Sequence, residues 1–395
     1  MVIEDMPGMK KLRKLLYAAT LLVIAASCTK DPENNSDESR RVMIMYSAGY
    51  NDLSNALTTD LEDLESAYLP QNTQSSHVLL VFSRNRGSNY APVLYRVYKN
   101  SGGDIVKENI KTWGEQDQAT DPAVLKEVLD LAKTMFPAKG YGLVYSSHGT
   151  GWLPDKNRTR ASLRSIGMDD DYGNKREMEL NEFVGAIPYK LDYVVFDACF
   201  MGCVEVAWAL RNVTEQIVFS PTEIMREGMN YLTLTQNLLQ SEPNVFAVAK
   251  DYYEQYSNPQ TDYTKSNPYA TITLVKTSGL GSLATISKEL FEKYREVIGS
   301  LTGNGIQQYY RYDYPYFYDF EDILVKAGIS ADEKSRLDSA LGACITYKAA
   351  TPSFMSITIS TYSGLSMFLP SSGDSALTSF YKEHIDWNDT TNLVK

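Results

Sequence analysis

Strand-length apolar runs alternating with amphipathic helices constrain this chain more than any other feature. RRVMIMYSAGY (40–50) and SHVLLVFSR (76–84) read as buried strands, and DLSNALTTDLEDLESAYL (52–69) between them spaces Leu and Ala at helical intervals. VLYRVYK (93–99) alternates as an edge strand or hairpin arm does. TDPAVLKEVLDLAKTMF (120–136) predicts a helix with Thr120 or Asp121 as N-cap and Pro122 in its first turn. YGLVYSS (141–147), a helix around MELNEFVGAI, the strand YVVFDA (193–198), the helix CVEVAWALRNV and the short strand IVFSP (217–221) continue the alternation. That order predicts a mostly parallel sheet covered by helices on both faces, with ligand sites at the carboxyl ends of its strands.

From about residue 236 the character changes. A helix near NVFAVAKDYYEQY, a strand YATITLVK (269–276) and helices around LGSLATISKELFEKYREVI precede the run YYRYDYPYFYDFEDIL (309–324), whose period-two tyrosines predict a half-buried strand. LDSALGACITY reads as a helix holding Cys344 in the core, and MSITIST and GLSMFLP read as late strands. No repeat and no long linker divides the chain, so the expected organisation is a core over 41–235 with a C-terminal subdomain, 236–395, packed on it. The net charge is −11, and no Lys/Arg run appears beyond the N-terminus, which excludes nucleic acid as a partner.

At the N-terminus Lys10, Lys11, Arg13 and Lys14 precede the apolar run LLYAATLLVIAAS (15–27), too short to span a bilayer comfortably, and then Cys28. This arrangement resembles a bacterial lipoprotein signal: residues 1–27 removed, Cys28 lipidated, and the polar stretch to residue 40 serving as a tether. The expected location is the cell envelope, with the chain held to the outer membrane by lipid. Cys199, Cys203 and Cys344 then remain, an odd number without a second Cys pair to build a zinc site.

Two strand ends carry chemistry: VYSSHG at His148 and VFDAC at Cys199. Neighbouring parallel strands would bring these ends side by side. A thiolate is a far better nucleophile than a thiol, and an imidazole beside it can assist and then protonate a departing amine. Cys199 is placed at the start of the helix VEVAWAL, whose positive end would favour the thiolate. The amides of Gly149 and Cys199 suit an oxyanion hole.

At these motifs the sequence resembles the clostripain family of clan CD cysteine peptidases, relatives of caspases, gingipains and legumain. The resemblance runs from VMIMYSAGYNDLS through YGLVYSSHGTGW and YVVFDACFMGCVEVAWALRN to YSGLSMFLP, ending at residue 370. It implies a caspase-like α/β/α sandwich, with His148 as the family histidine and Cys199 as the nucleophile. It further implies cleavage after Arg or Lys, with Asp197 matching one acid of the substrate pocket. SPTEIMREGMNY (220–231) resembles a loop carrying a second acid. Glu227 stands there where the family pattern has an Asp, and Met229 where it has an aromatic residue. Some members cut themselves between His and Cys, and Lys156, Arg158, Arg160 and Arg164 offer basic points for such a cut.

The chemistry requires no cofactor. Calcium dependence occurs in the family, and Asp169, Asp170 and Asp171 offer oxygen ligands, although the spacing of a calcium loop is missing and a solvated loop explains them more simply. Cys203 is expected to pack as a small apolar group. His77 and His384 are expected to be surface or packing residues. The expected protein is a monomer acting on protein or peptide substrates. The rival reading is a proteolytically silent envelope lipoprotein that binds protein or glycan.

Overall fold

Period-two burial on both faces organises the sheet of this computed structural model, which describes residues 40–395 except 88, 155–165, 172–173, 311–315 and 374. Cys28 and the four basic residues between 156 and 164 therefore lie outside the described residues. The elements are β1 (Arg41–Gly49), α1 (Ser54–Ser66), β2 (Val78–Asn85), β3 (Asn89–Lys99), β4 (Ile105–Thr112), α2 (Pro122–Met135) and β5 (Gly140–Ser146). There follow β6 (Ile166–Asp171), β7 (Asn174–Met178), α3 (Leu180–Gly185), β8 (Leu191–Asp197), α4 (Val204–Leu210), β9 (Thr214–Phe219), α5 (Tyr231–Leu238) and α6 (Val245–Ser257). The remainder is α7 (Asp262–Ser266), β10 (Thr271–Lys276), α8 (Leu280–Ser300), β11 (Phe317–Asp319), α9 (Phe320–Lys326), α10 (Ala331–Cys344), β12 (Ile345–Ala350), β13 (Ser353–Phe354), β14 (Ile357–Thr358), β15 (Ser366–Phe368), α11 (Ser375–His384) and α12 (Asp386–Thr391).

Nine strands form one sheet in the order β12-β10-β9-β8-β5-β1-β2-β3-β4. The five central strands, β9 to β2, run parallel. Two antiparallel strands flank them on each side, so β10 and β12, from beyond residue 236, extend the same sheet. Along β1, Val42, Ile44, Tyr46 and Ala48 enter one core cluster with Val128 and Leu129 of α2 and Leu283 and Leu290 of α8. Met43 and Met45 enter the other, with Leu61 and Leu64 of α1, Leu234 of α5 and Val248 of α6. Both faces are thus covered, which is why the central strands read as unbroken apolar runs. Truncating a fully buried side chain such as Leu143 to Ala would cost about 2–5 kcal/mol.

The α2 start is as the sequence predicts: Pro122 occupies the first helical turn and the Asp121 carboxylate accepts from the Ala123 amide at 2.9 Å. Three elements differ. Among its described residues the tyrosine-rich run forms a ladder over Phe317–Asp319, with β15. Asp319 ends the strand, because its Oδ1 caps α9 at the Asp322 amide (3.0 Å) while its Oδ2 takes the Tyr309 hydroxyl (2.6 Å). MSITIST is no continuous strand, since Met355 sits at φ 48° and leaves a two-residue ladder between β13 and β14. The helix LDSALGACITY stops at Cys344, and Ile345 opens the edge strand β12.

Candidate active site

The register of β5 and β8 builds the site. Ser146 pairs with Asp197, and His148 and Cys199 each lie two residues beyond that rung. Equal offsets from one rung of a parallel pair bring both side chains to the same cleft at the carboxyl edge of the sheet. The cleft has a volume of 390 Å³ and is walled by the start of α1, the ends of β5 and β8, and the loop 220–228. Tyr263, Tyr310 and Met355 also line it.

Hydrogen bonds fix the His148 turn. Ser147 Oγ donates to Ala48 O (2.8 Å), and His148 O accepts from the Gly167 amide (2.8 Å). His148 Nε2 lies 2.6 Å from Asp52 Oδ1. The loop carrying Asp52 is itself pinned, since Asn51 Nδ2 donates to Met168 O (2.8 Å) and to Ala48 O (3.0 Å). An acceptor at this distance settles ring orientation and favours the imidazolium that peptide cleavage passes through.

Cys199 is half-buried, with its thiol 3.9 Å from Ile224 O. The following residue, Phe200, sits at φ 60°, an uncommon conformation for a bulky side chain. Its ring stacks on Phe317 (centroids 5.7 Å apart) and packs on Tyr310, and its amide donates to Thr222 O at 2.9 Å, contacts that hold the turn in place. The expected placement of Cys199 at a helix N-terminus needs correction. The helix α4 begins at Val204, after the turn through Phe200–Cys203, so its dipole does not start at the thiol. Cys203 and Cys344 are buried without exposure, and burial pushes the Cys203 thiol well up and the Cys344 thiol up to about 12. Of the described cysteines, Cys199 alone is reachable from a cleft.

Gly149 meets the Cys199 backbone directly: a Cβ there would fall 2.7 Å from Cys199 O and 3.1 Å from the Ala198 Cβ. Only glycine permits that approach. The backbones of the two residues proposed to hold an oxyanion are therefore in contact.

Asp197 lies on the cleft floor, 6% exposed. Its Oδ2 accepts from the Tyr231 hydroxyl and from Ser146 Oγ (3.1 Å). Burial holds its carboxyl above the ordinary range, moderated by these bonds and one from the Met229 amide. Gly228, at φ 57°, passes so close that a Cβ would lie 2.5 Å from Asp197 Oδ2. Glu227, the expected second acid, does not line the cleft. Its carboxylate accepts from Thr261 Oγ1 at 3.2 Å instead.

Sequence reasoning missed two acids here, Asp52 and Asp60. Asp60 projects from α1 into the cleft and is 5% exposed. The signal was present: on α1, Leu57, Asp60, Leu61 and Leu64 share the buried face, and a carboxylate in an apolar stripe marks either a buried pair or a site. Asp52 ends the YND turn beside the strand end that carries His148.

Two acids of the run at 169–171 face arginines. Asp169 pairs with Arg84 at 2.9 Å, both without appreciable exposure, and Asp170 lies 3.6 Å from Arg86. The Asp171 side chain lies outside the described residues. Among the described residues no group of three His, Cys, Asp or Glu side chains is placed to hold a metal ion, and no helix is long and apolar enough to cross a membrane. His77 accepts the Arg41 amide at 3.0 Å, at the start of β1, and His384 packs on Phe380.

A clostripain from Hathewaya histolytica is 26% identical over an alignment covering 45% of this chain and 38% of that protein, so the match spans well under half of this relative. An inactive zymogen of a C11 protease from Parabacteroides distasonis superposes with a TM-score of 0.77 at 26% identity, covering 90% of this chain and 99% of the other. A secreted C11 cysteine protease from Bacteroides thetaiotaomicron, solved with an irreversible peptide inhibitor, shares the fold with a TM-score of 0.76 at 24% identity, covering 90% and 99%. The Clostripain family profile matches residues 45–392. With the mixed sheet, the paired strand ends and nearly the whole described chain accounted for, this protein belongs to the Clostripain family of cysteine peptidases, and its architecture is the caspase-like α/β/α sandwich.

Proposed function

We propose that the chain is a cysteine endopeptidase that cleaves after basic residues with Cys199 as nucleophile and His148 as its acid–base partner. The observation that carries this reading is the shared cleft: a reachable thiol, an oriented imidazole and, beneath them, a buried carboxylate with no cationic partner among the described residues. The Cys199 thiolate attacks the scissile carbonyl carbon, and the Gly149 and Cys199 amides receive the oxyanion. As the C–N bond breaks, His148 gives its proton to the departing amine, leaving a thioester. Water, deprotonated by His148, then hydrolyses the thioester and restores the thiol. Asp52 keeps the imidazole oriented throughout. Asp197 receives the P1 ammonium or guanidinium, and protein or peptide chains are the substrates.

The test is hydrolysis of fluorogenic peptides with Arg, Lys, Asn or Asp at P1 by the chain from residue 29, with Cys199→Ala as control. Turnover confined to basic P1 and absent from the variant is the expected result. No turnover on any of these, with no labelling of Cys199 by an electrophilic peptide, would leave the silent binding lipoprotein as the better account. The same proposal places the enzyme on an envelope membrane through lipid on Cys28. Metabolic labelling with a fatty acid should then be lost in Cys28→Ala.

A further inference from the structure

The floor of the cleft holds more negative charge than one P1 acid requires. Its lining carries four carboxylates, Asp52, Asp60, Asp197 and Glu223, against His148 and a single guanidinium, Arg226. Asp52 is engaged by His148. Arg226 is exposed and lies over the Tyr263 ring, 4.8 Å from its centroid, at the cleft edge. Of the other three carboxylates, all more than nine-tenths buried, Glu223 comes from the loop that carries Arg226, while Asp60 and Asp197 meet no cationic side chain among the described residues. They arrive from different elements, Asp60 from the second turn of α1 and Asp197 from the last residue of β8.

We propose that Asp60 is a second P1-determining carboxylate, which holds a basic side chain from the α1 side while Asp197 holds it from the β8 side. This inference rests on the peptidase reading of the cleft and adds a residue to its specificity. A guanidinium presents N–H groups along two edges of a plane and so satisfies two carboxylates on separate elements, whereas a lysine ammonium is a point charge. Arg is therefore the preferred P1 residue.

The empty cleft then has to dispose of two buried negative charges. Asp60 faces Asp197, Asp63 of its own helix and Glu227 of the loop, and the Tyr231 hydroxyl of α5 lies within their field. Burial, followed by repulsion from Asp197, Asp63 and Glu227, pushes the Asp60 carboxyl up to about 9. Near neutral pH the empty pair thus keeps a proton, and the arriving cation replaces it. Because the bound form carries fewer protons on the pair, binding strengthens as pH rises from 6 to 9 and releases a proton per cation bound.

A second consequence comes from chain order. Asp52 and Asp60 flank the start of one helix, so the segment that receives the P1 side chain also carries the acceptor for His148 Nε2.

The experiment measures benzamidine, a planar amidinium, binding to the Cys199→Ala chain by calorimetry between pH 6 and pH 9, in buffers of different ionisation enthalpy. The affinity is expected to rise roughly tenfold per pH unit over the lower part of that range, with proton release. Asp60→Asn should weaken binding at least tenfold, flatten the pH dependence and abolish the proton release. In the active chain the same substitution should lower kcat/KM for Arg peptides more than for Lys peptides, while alkylation of Cys199 by iodoacetamide stays within twofold. Asp63→Asn and Glu227→Gln, which change only the surrounding charge, should weaken benzamidine binding threefold at most. A pH-independent affinity in the unsubstituted cleft, or binding that changes by threefold or less in Asp60→Asn, overturns the proposal. The Cys199→Ala measurement needs no turnover, so benzamidine binding with proton release in a chain that cleaves nothing would sink the peptidase reading and leave the two-carboxylate clamp standing.

Discussion

Two buried aspartate sites in this molecule are built on opposite plans. Asp169 has its counter-charge supplied from within the chain: Arg84 lies 2.9 Å away, the Thr120 amide donates at 3.2 Å, and the Tyr50 ring covers the guanidinium at 4.2 Å. Asp60 and Asp197 are nearly as deeply buried, yet Asp197 receives two hydroxyls and an amide, and neither acid meets a cation among the described residues. Desolvation acts on both sites, because burial holds all three carboxyls above their ordinary range. The difference lies in where compensation comes from. On the proposed reading, folding completes Asp169, whereas Asp60 and Asp197 are left for a ligand to complete.

The largest expected effect breaks the structural member. Arg84→Met leaves Asp169 buried and uncompensated, and should cost about 3–5 kcal/mol in urea denaturation. Adding Asp169→Asn should recover most of that loss. A single variant less than about 1 kcal/mol below the parent would erase the contrast. Next comes Asp52→Asn, which removes the charge that steadies His148 and should lower kcat roughly 10- to 100-fold with KM nearly unchanged. A fall in KM-dependent binding instead would assign Asp52 to the substrate pocket.

A smaller effect concerns Glu205, an acid outside the cleft that also meets no cation among the described residues. Its Oε1 accepts from the Phe368 amide (2.9 Å) and the Tyr381 hydroxyl (3.0 Å), and burial raises its carboxyl to about 7. With the folded value above the unfolded one, its stability contribution is full below about pH 4 and is lost as pH rises through about 7. The melting temperature should therefore fall by a few degrees between pH 5 and pH 8, and Glu205→Gln should flatten that decline. Equal slopes in the two proteins would show that other groups set the pH response. Smallest of all, Glu227→Gln should leave turnover of Arg peptides within twofold, and a larger loss would restore Glu227 to the cleft.

The central strands were legible in sequence because burial on both faces leaves an unbroken apolar run, and VMIMYSAG and YVVFDA admit no other reading at that length. The pair His148 and Cys199 was legible for the same reason, as each closes such a run. Glu227 was misplaced because the loop 220–228 is shaped by long-range contacts, among them Gly228 against Asp197 and Thr261 against Glu227, which no local pattern encodes. Asp60 was hidden inside a helix whose hydrophobic periodicity was read for its leucines. β12 was absorbed into a helix because Ile345–Ala350 has no turn residue before it, and only pairing with β10 makes it a strand.

Placement by rung has a consequence for how such a chain can change. His148 and Cys199 are indexed to the Ser146–Asp197 pair, and β6 pins the His148 turn through the Gly167 amide. A single residue inserted within 141–148 turns the histidine to the opposite face of the sheet. Natural variation in this protein's relatives should therefore be nearly silent in length over the few residues that lead into each motif.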